Sequence, residues 1–140
     1  MIAQTKSTPT LMKYLTNIAG GLLGLLFIAS GVVVLFKLVE MPPPPEGTPA
    51  AHFIAAFGPT GYFTFIKILE VTGGILVAIP RTRNFGLLVL GPIIVNILAF
   101  HIFIMKGAGL FDPPFIIPVI ALLAAYLLWA GRKAFAGLLG

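Results

Sequence analysis

Residues 62–79 read YFTFIKILEVTGGILVAI, an apolar stretch that carries Lys67 and Glu70 near its middle. The stretch is long enough to cross a bilayer as a helix, and residues three apart lie on one face of a helix. A charged side chain at the centre of a membrane helix costs roughly 3 kcal/mol on insertion scales. We therefore expect Lys67 and Glu70 to point into the protein, where each can be paired or neutralised.

The composition is that of an integral membrane protein. Of the 140 residues, 59% are hydrophobic and only 9% are charged, whereas a soluble domain has about a quarter of its residues charged. Lipid offers the backbone no hydrogen-bond partners, so apolar segments of this length should be helices. We predict an all-α fold, an integral membrane four-helix bundle in a single membrane domain. Its spans are 17–39, 62–79, 85–105 and 114–130.

The connection 40–61 is the only long one between the predicted spans. Four consecutive prolines at 42–45 cannot continue a helix, so the first span ends before them. Residues 50–57, AAHFIAAF, are apolar and free of helix breakers. They predict a short interfacial helix between the first and second spans.

The charge pattern predicts an orientation in the membrane. The formal charge of +5 arises largely from cations beside the span ends, and no basic stripe is interleaved with aromatic residues, so we predict no nucleic-acid partner. By the positive-inside rule, we expect both termini of this multi-pass protein to be cytoplasmic. We also predict that the protein lies in the inner (cytoplasmic) membrane. The cations used for this prediction are Lys6, Lys13, Arg81, Arg83, Arg132 and Lys133.

Glycines mark the predicted helix-packing faces. Gly20 and Gly24 form a GxxxG pattern in the first span, and Gly31 lies on the same face as Gly24. Gly73 and Gly74 follow the charged pair in the second span. Small residues let neighbouring backbones approach closely, and we favour packing within the chain over a dimer contact.

Polar residues of three spans are predicted to meet near the outer side. If the second and third spans are antiparallel, Glu70 lies at about the same depth in the membrane as Asn96, and Lys67 at about the same depth as His101. Lys37 reaches the same outer region from the first span. Asn96 and His101 are about 140° apart around their helix, so they share a cavity only if that helix is bent or tilted. Two interpretations stay open. The charged pair fixes the helix register, or these five residues bind a ligand in an outward-facing pocket.

Several chemistries are disfavoured by the sequence. The chain has no cysteine, which excludes disulfides and thiolate metal sites. We find no hydrolase, metalloprotease, P-loop or paired-carboxylate motif, and predict no catalytic residue and no metal site. His101 is the only histidine within the spans, which argues against a haem held by two histidines of this chain.

Four segments of the chain resemble the DoxX-like family of small four-helix bacterial membrane proteins. The segments are LLGLLFIASGVVVLFKL, FIKILEVTGGILVAIPR, LGPIIVNILAFHIF and LLAAYLLWAGRKAF, within residues 22–135. The most specific positions are Lys67, Glu70, Gly73 and Gly74 with Pro92, Asn96 and His101. The resemblance implies a four-helix bundle with an outer segment after its first helix.

The family is named for its similarity to membrane subunits of a thiosulfate:quinone oxidoreductase, and most of its members have no established activity. Because this chain has no cysteine, sulfur chemistry is not carried over. What the resemblance implies is a quinone or lipid head group near Glu70 and His101.

Two functions are compatible with the sequence. The first is a small accessory subunit or assembly factor of a larger membrane complex, of redox or energy-converting type, with membrane-protein partner subunits in the lipid bilayer. The second is a redox-linked membrane protein that binds quinone or a lipid head group in the polar pocket. We prefer the first at this stage, because a small bundle without a cofactor motif is more easily explained as an accessory protein.

Overall fold

The computed structural model describes residues 7–140, and this part of the chain is all-α, as predicted, with no β-strand. A π-helical segment, Phe100–Ile104, continues α4, and short 3₁₀ turns follow α2 and α6. The helices are α1 (Ser7–Leu35), α2 (Pro49–Phe57), α3 (Tyr62–Ala78), α4 (Arg83–Ala99), α5 (Ile116–Ala130) and α6 (Arg132–Ala136).

Between two and four helices of the described chain are candidates to cross a membrane. Thr10–Leu35 and Arg83–Ile104 are each long and apolar enough on their own. Two more spans arise only if bent pairs are counted together, α2 with α3 across an 84° bend and α5 with α6 across a 68° bend. Alone, α3 has 17 residues, or about 26 Å of helix, which is at the lower end of what the hydrocarbon core requires, and α5 has 15 residues, or about 23 Å, which is below it.

The four long helices pack side by side. Both α1 and α4 contact α3 and α5, and the most extensive contact joins α1 to α3. These two helices are antiparallel, since Gly24 meets Gly74 while Asn17, nearer the start of α1, meets Arg83 beyond the end of α3. The buried core lies between the four helices and includes Leu23, Phe27, Val77, Leu87, Leu90, Ile94 and Leu127.

Glycines allow α1 and α3 to approach closely. A Cβ atom added to Gly24 would meet the carbonyl oxygen of Gly74, and one added to Gly74 would lie 2.8 Å from the carbonyl oxygen of Gly24. A Cβ atom on Gly31 would meet the side chain of Val71 and lie 3.2 Å from the carbonyl oxygen of Lys67. Backbone therefore packs on backbone along this seam.

The other two predicted packing glycines are also covered from within the chain. A Cβ atom on Gly20 would meet the guanidinium group of Arg83, and one on Gly73 would lie 2.7 Å from the side chain of Leu90. All five glycines thus contact residues of the same chain, which leaves these positions unavailable to another subunit.

The first helix ends earlier than the predicted span. It stops at Leu35 rather than at residue 39, and Lys37 follows in a turn with a φ of 51°. The predicted short helix is present as α2, and the hydroxyl of its N-cap residue Thr48 accepts a hydrogen bond from the backbone N–H of Ala51. The ring of Phe53 packs 5.3 Å from that of Phe100, so α2 lies against the end of α4.

The predicted cytoplasmic cations cluster at one end of the helices. Arg83 donates to Asn17 at 3.1 Å, and the hydroxyls of Thr16 and Tyr126 lie 3.2 Å apart. These contacts join the first half of α1 to the first residue of α4 and to the last part of α5. Lys6, one of the predicted cations, lies outside the described residues.

The close α1–α3 seam predicts a position-specific effect of small substitutions. Gly24→Ala should lower the free energy of unfolding by about 1–3 kcal/mol, because the new methyl group meets the backbone of α3. Gly21→Ala is the matched control, since a Cβ atom there has no neighbour within 4 Å among residues 7–140. It should be neutral or stabilising by up to ~1 kcal/mol. Denaturant titration in detergent measures both, and equal effects would contradict the seam.

Candidate functional site

Glu70 is a carboxylate buried among the helices. It lies in the middle of α3, its exposed fraction is 2%, and its Oε2 atom is 2.8 Å from the Nζ atom of Lys67. The two residues are three apart on α3, and the Lys67 side chain is 22% exposed. The helical spacing in the sequence therefore produces an ion pair, with the carboxylate inside and the ammonium group nearer the surface.

Ser30 of α1 completes a polar cluster with this ion pair. Its hydroxyl donates to Oε2 of Glu70 at 3.5 Å and accepts from Nζ of Lys67 at 3.3 Å. We refer to Ser30, Lys67 and Glu70 as the polar cluster. Oε1 of Glu70 accepts no hydrogen bond from the described residues, and one of the three ammonium hydrogens of Lys67 has no partner there either. One strong acceptor and one donor are therefore available to a ligand.

The polar cluster lies on the wall of a cavity of about 330 Å³. This volume is at the lower end of the range for small-molecule pockets and corresponds to about ten water molecules. An apolar wall with a few convergent polar groups is typical of such pockets. Apart from the cluster, the wall is apolar and includes Phe27 and Val33 of α1, Met41, Ile97 of α4, and Ile116 and Ile120 of α5.

The cavity is partly open. Ala29 and Ser30, which line it, are exposed although they lie within a long helix, and Met41 and Ile116 of its wall are exposed too. From the exposure within α1 we infer that it opens sideways, along the seam between α1 and α5. The contact between α1 and α5 is much less extensive than that between α1 and α3. A molecule that lies beside the protein can therefore reach the cluster without separating the close α1–α3 seam.

The five residues predicted to bind a ligand do not share one cavity. Lys67 and Glu70 line it, whereas Lys37, Asn96 and His101 do not. Lys37 is exposed in the turn after α1. The shared pocket predicted from matching depths is therefore reduced to the charged pair, with Ser30 added.

Asn96 and His101 point elsewhere for different reasons. Ile97 lines the cavity, and its neighbour Asn96 is rotated by about 100° onto the exposed surface, where its side chain makes no hydrogen bond with the described residues. His101 lies in the π-helical segment, where its Nδ1 atom is 2.9 Å from the carbonyl oxygen of Ile97. Its ring stacks edge-on against Phe100.

Arg83 is a second buried charge that the sequence pattern missed. Only 7% of it is exposed, although it was predicted as a loop cation. Its Nε atom donates to the carbonyl oxygen of Val77 and its Nη1 atom to Asn17, both at 3.1 Å. A cation that binds a free carbonyl at a helix C-terminus also interacts favourably with the helix dipole. Arg83 therefore joins α1 to the end of α3, far from the cavity.

Comparisons with protein-family models, with curated proteins and with solved structures find no match to this chain. The fold and the site themselves define the class. The described chain is all-α with two to four helices suited to cross a membrane, and it contains an ion pair beside a partly open cavity. Within the described residues, no group of three or more His, Cys, Asp or Glu side chains is placed to hold a metal ion.

The ion pair predicts a strong asymmetry between single and double substitutions. Lys67→Met should lower the free energy of unfolding by about 3 kcal/mol, because it leaves the buried Glu70 carboxylate without its cation. Lys67→Met with Glu70→Leu should recover most of that loss, since no buried charge remains. Lys106→Met, at an exposed cation of a loop, should change stability by less than about 0.5 kcal/mol. A stable Lys67→Met single variant would show that the two charges do not depend on each other.

Proposed function

We propose that this protein is an integral membrane four-helix bundle that binds quinone or a lipid head group in its side-opening cavity. The observation that carries this proposal is the polar cluster on an otherwise apolar wall. Such a site suits an amphiphilic molecule that reaches it from the bilayer. We rank this function above the accessory role, because the glycine faces are packed within the chain and offer no surface to partner subunits.

In the proposed membrane arrangement, α1, α3, α4 and α5 cross the bilayer and α2 lies at its outer surface. Both termini are cytoplasmic, and the membrane is the bacterial cytoplasmic membrane. Support comes from the cations gathered at one end and the acidic loop residues at the other, in line with the positive-inside rule. Those acidic residues are Glu40, Glu46 and Asp112.

The donor set fits a quinone or quinol head group. Lys67 would donate its unpaired N–H to a carbonyl oxygen, and Oε1 of Glu70 would accept a hydrogen bond from a hydroxyl. The apolar wall would exclude water from the ring. The chain's own groups thus bind and orient the ligand. Redox chemistry would need an electron-transfer partner, so we assign no catalysis to this chain alone.

Ligand retention tests this function directly. Wild-type protein extracted in mild detergent should retain about one quinone or lipid per chain in this cavity, in addition to any lipid bound elsewhere on the protein, as measured by mass spectrometry after solvent extraction. Glu70→Gln should insert normally and retain at least about tenfold less, because a hydrogen bond to a charged acceptor contributes roughly 1.5–3 kcal/mol. Ser30→Leu, which obstructs the cavity, should act in the same direction.

The matched control is His101→Gln, which changes a polar residue of α4's extension outside the cavity. It should retain ligand as the wild type does. Absence of any bound amphiphile in the wild type, or equal retention in all four proteins, would contradict the proposal.

An accessory subunit or assembly factor of a larger membrane complex remains the second candidate function. It is favoured by Asn96, an amide exposed within the apolar α4 and without a side-chain hydrogen bond among the described residues. An unpaired amide in hydrocarbon is costly, and such residues often bind a polar group of another helix. A partner subunit that covers α4 at this depth would satisfy it.

The accessory function predicts a dependence on Asn96. In native membranes solubilised under mild conditions, the wild type should migrate in a stoichiometric complex on native electrophoresis. Asn96→Leu should weaken that complex about threefold to twentyfold, since an interhelical hydrogen bond contributes roughly 0.6–1.7 kcal/mol. Val95→Leu, at a neighbouring exposed apolar position, should leave it intact. A wild-type protein that migrates alone would remove this candidate.

A further inference from the structure

A second cavity, which we call the inner groove, lies on the α1–α5 seam at the cationic end of the helices. Its volume is about 300 Å³, and it shares no lining residue with the cavity at the polar cluster. The lining is apolar except for one tyrosine hydroxyl. It consists of Leu15, Ile18, Ala19 and Leu22 of α1 with Leu123 and Tyr126 of α5.

Beyond the inner groove, polar groups are arranged in sequence toward the cationic end of the helices. The hydroxyl of Tyr126 lies 3.2 Å from that of Thr16. The ring of Trp129 comes next, 6.2 Å from the Tyr126 ring, and the guanidinium carbon of Arg132 lies 4.4 Å from the centre of the Trp129 ring. Arg132 also donates to the carbonyl oxygen of Trp129 at 2.7 Å, which fixes its position at the end of α5.

The charge at this end is not neutralised by acidic side chains of the chain. Arg132 and Lys133 are adjacent and exposed. The chain has only four acidic residues, of which one is the buried Glu70 in the middle of α3 and three lie in the loops at the other end. An anion from outside the chain is therefore the natural partner of Arg132 and Lys133.

We propose that the inner groove binds one anionic phospholipid. An acyl chain lies in the apolar groove beside Ile18 and Leu22, the ester groups lie level with the hydroxyls of Thr16 and Tyr126, and the phosphate pairs with Arg132 and Lys133. The order of apolar wall, hydroxyls, indole and cations matches the order of groups along a phospholipid from its chains to its head. The site rests on the proposed membrane arrangement, but it is separate from the polar cluster and does not depend on ligand binding there.

Competition between two lipids tests this site. The purified protein would be equilibrated in detergent with equal amounts of phosphatidylglycerol and phosphatidylcholine that carry identical chains, and retained lipid would be counted by native mass spectrometry. The wild type should keep one phosphatidylglycerol in preference. Arg132→Gln with Lys133→Gln should lower that preference about 25-fold, because each cation near the lipid surface contributes roughly fivefold. Equal retention of the two lipids by the wild type would overturn the proposal.

A matched control separates a local site from net charge. Lys37→Gln with Lys106→Gln removes two exposed cations from the opposite end, and the lipid preference should be unchanged. An equal loss of preference in this control would overturn the site. Arg132→Lys keeps the charge and should keep most of the preference, and circular dichroism would verify that each variant retains its helices.

The apolar half of the site has its own test. Ile18→Trp fills the groove without any change of charge and should reduce retained phosphatidylglycerol at least fivefold. Millimolar inorganic phosphate should not displace the lipid from the wild type. Unchanged retention in Ile18→Trp would show that no acyl chain lies in the groove, and displacement by phosphate alone would show that only the head group is held. Either result would overturn the site.

Discussion

The rest of the structure depends on how the buried carboxylate of Glu70 is stabilised. A carboxylate among apolar helices is stable only if a cation and hydrogen-bond donors lie against it. Lys67 supplies the cation from the preceding turn of α3, and Ser30 supplies a hydroxyl from α1. The second contact requires α1 and α3 to lie very close. Gly31, beside Ser30, permits that approach, so the packing of this seam and the electrostatics of the site depend on each other.

The two seams of α1 differ in a way that bears on function. Against α3, backbone meets backbone at Gly24 and Gly74, and there is no space for a ligand. Against α5, larger side chains hold the helices apart, and two cavities of about 330 Å³ and 300 Å³ lie along the seam. One has an ion pair on its wall and the other leads to exposed cations. Both binding proposals therefore use the same open side of the protein, one toward each end.

Helix positions and the charged pair were predictable from the sequence, but the rotation of the helices was not. The lengths of the apolar segments, with the proline and glycine breaks between them, predicted the bounds of α2 and α3 to within about one residue. The three-residue spacing of Lys67 and Glu70 predicted that they share a helix face. In contrast, α4 is apolar on nearly all sides, so its hydrophobic pattern does not indicate which face turns inward. A depth match between Asn96 and Glu70 could not reveal that Ile97 lines the cavity instead. The sequence also did not indicate that Ser30 belongs to the site, because a serine among glycines and alanines resembles a packing residue.

Solid-state NMR of the protein in bilayers tests the central claim most directly. With ¹⁵N-labelled lysine and ¹³C-labelled glutamate, the dipolar coupling between Lys67 Nζ and the Glu70 carboxyl carbon reports whether the pair exists within the membrane. The 2.8 Å contact between Nζ and Oε2 predicts a strong coupling that disappears in Glu70→Gln, and a change in both signals when quinone or lipid enters the cavity. A wild-type protein that lacks this coupling, and in which the exchangeable hydrogens of both side chains exchange rapidly with bulk water, would contradict the account.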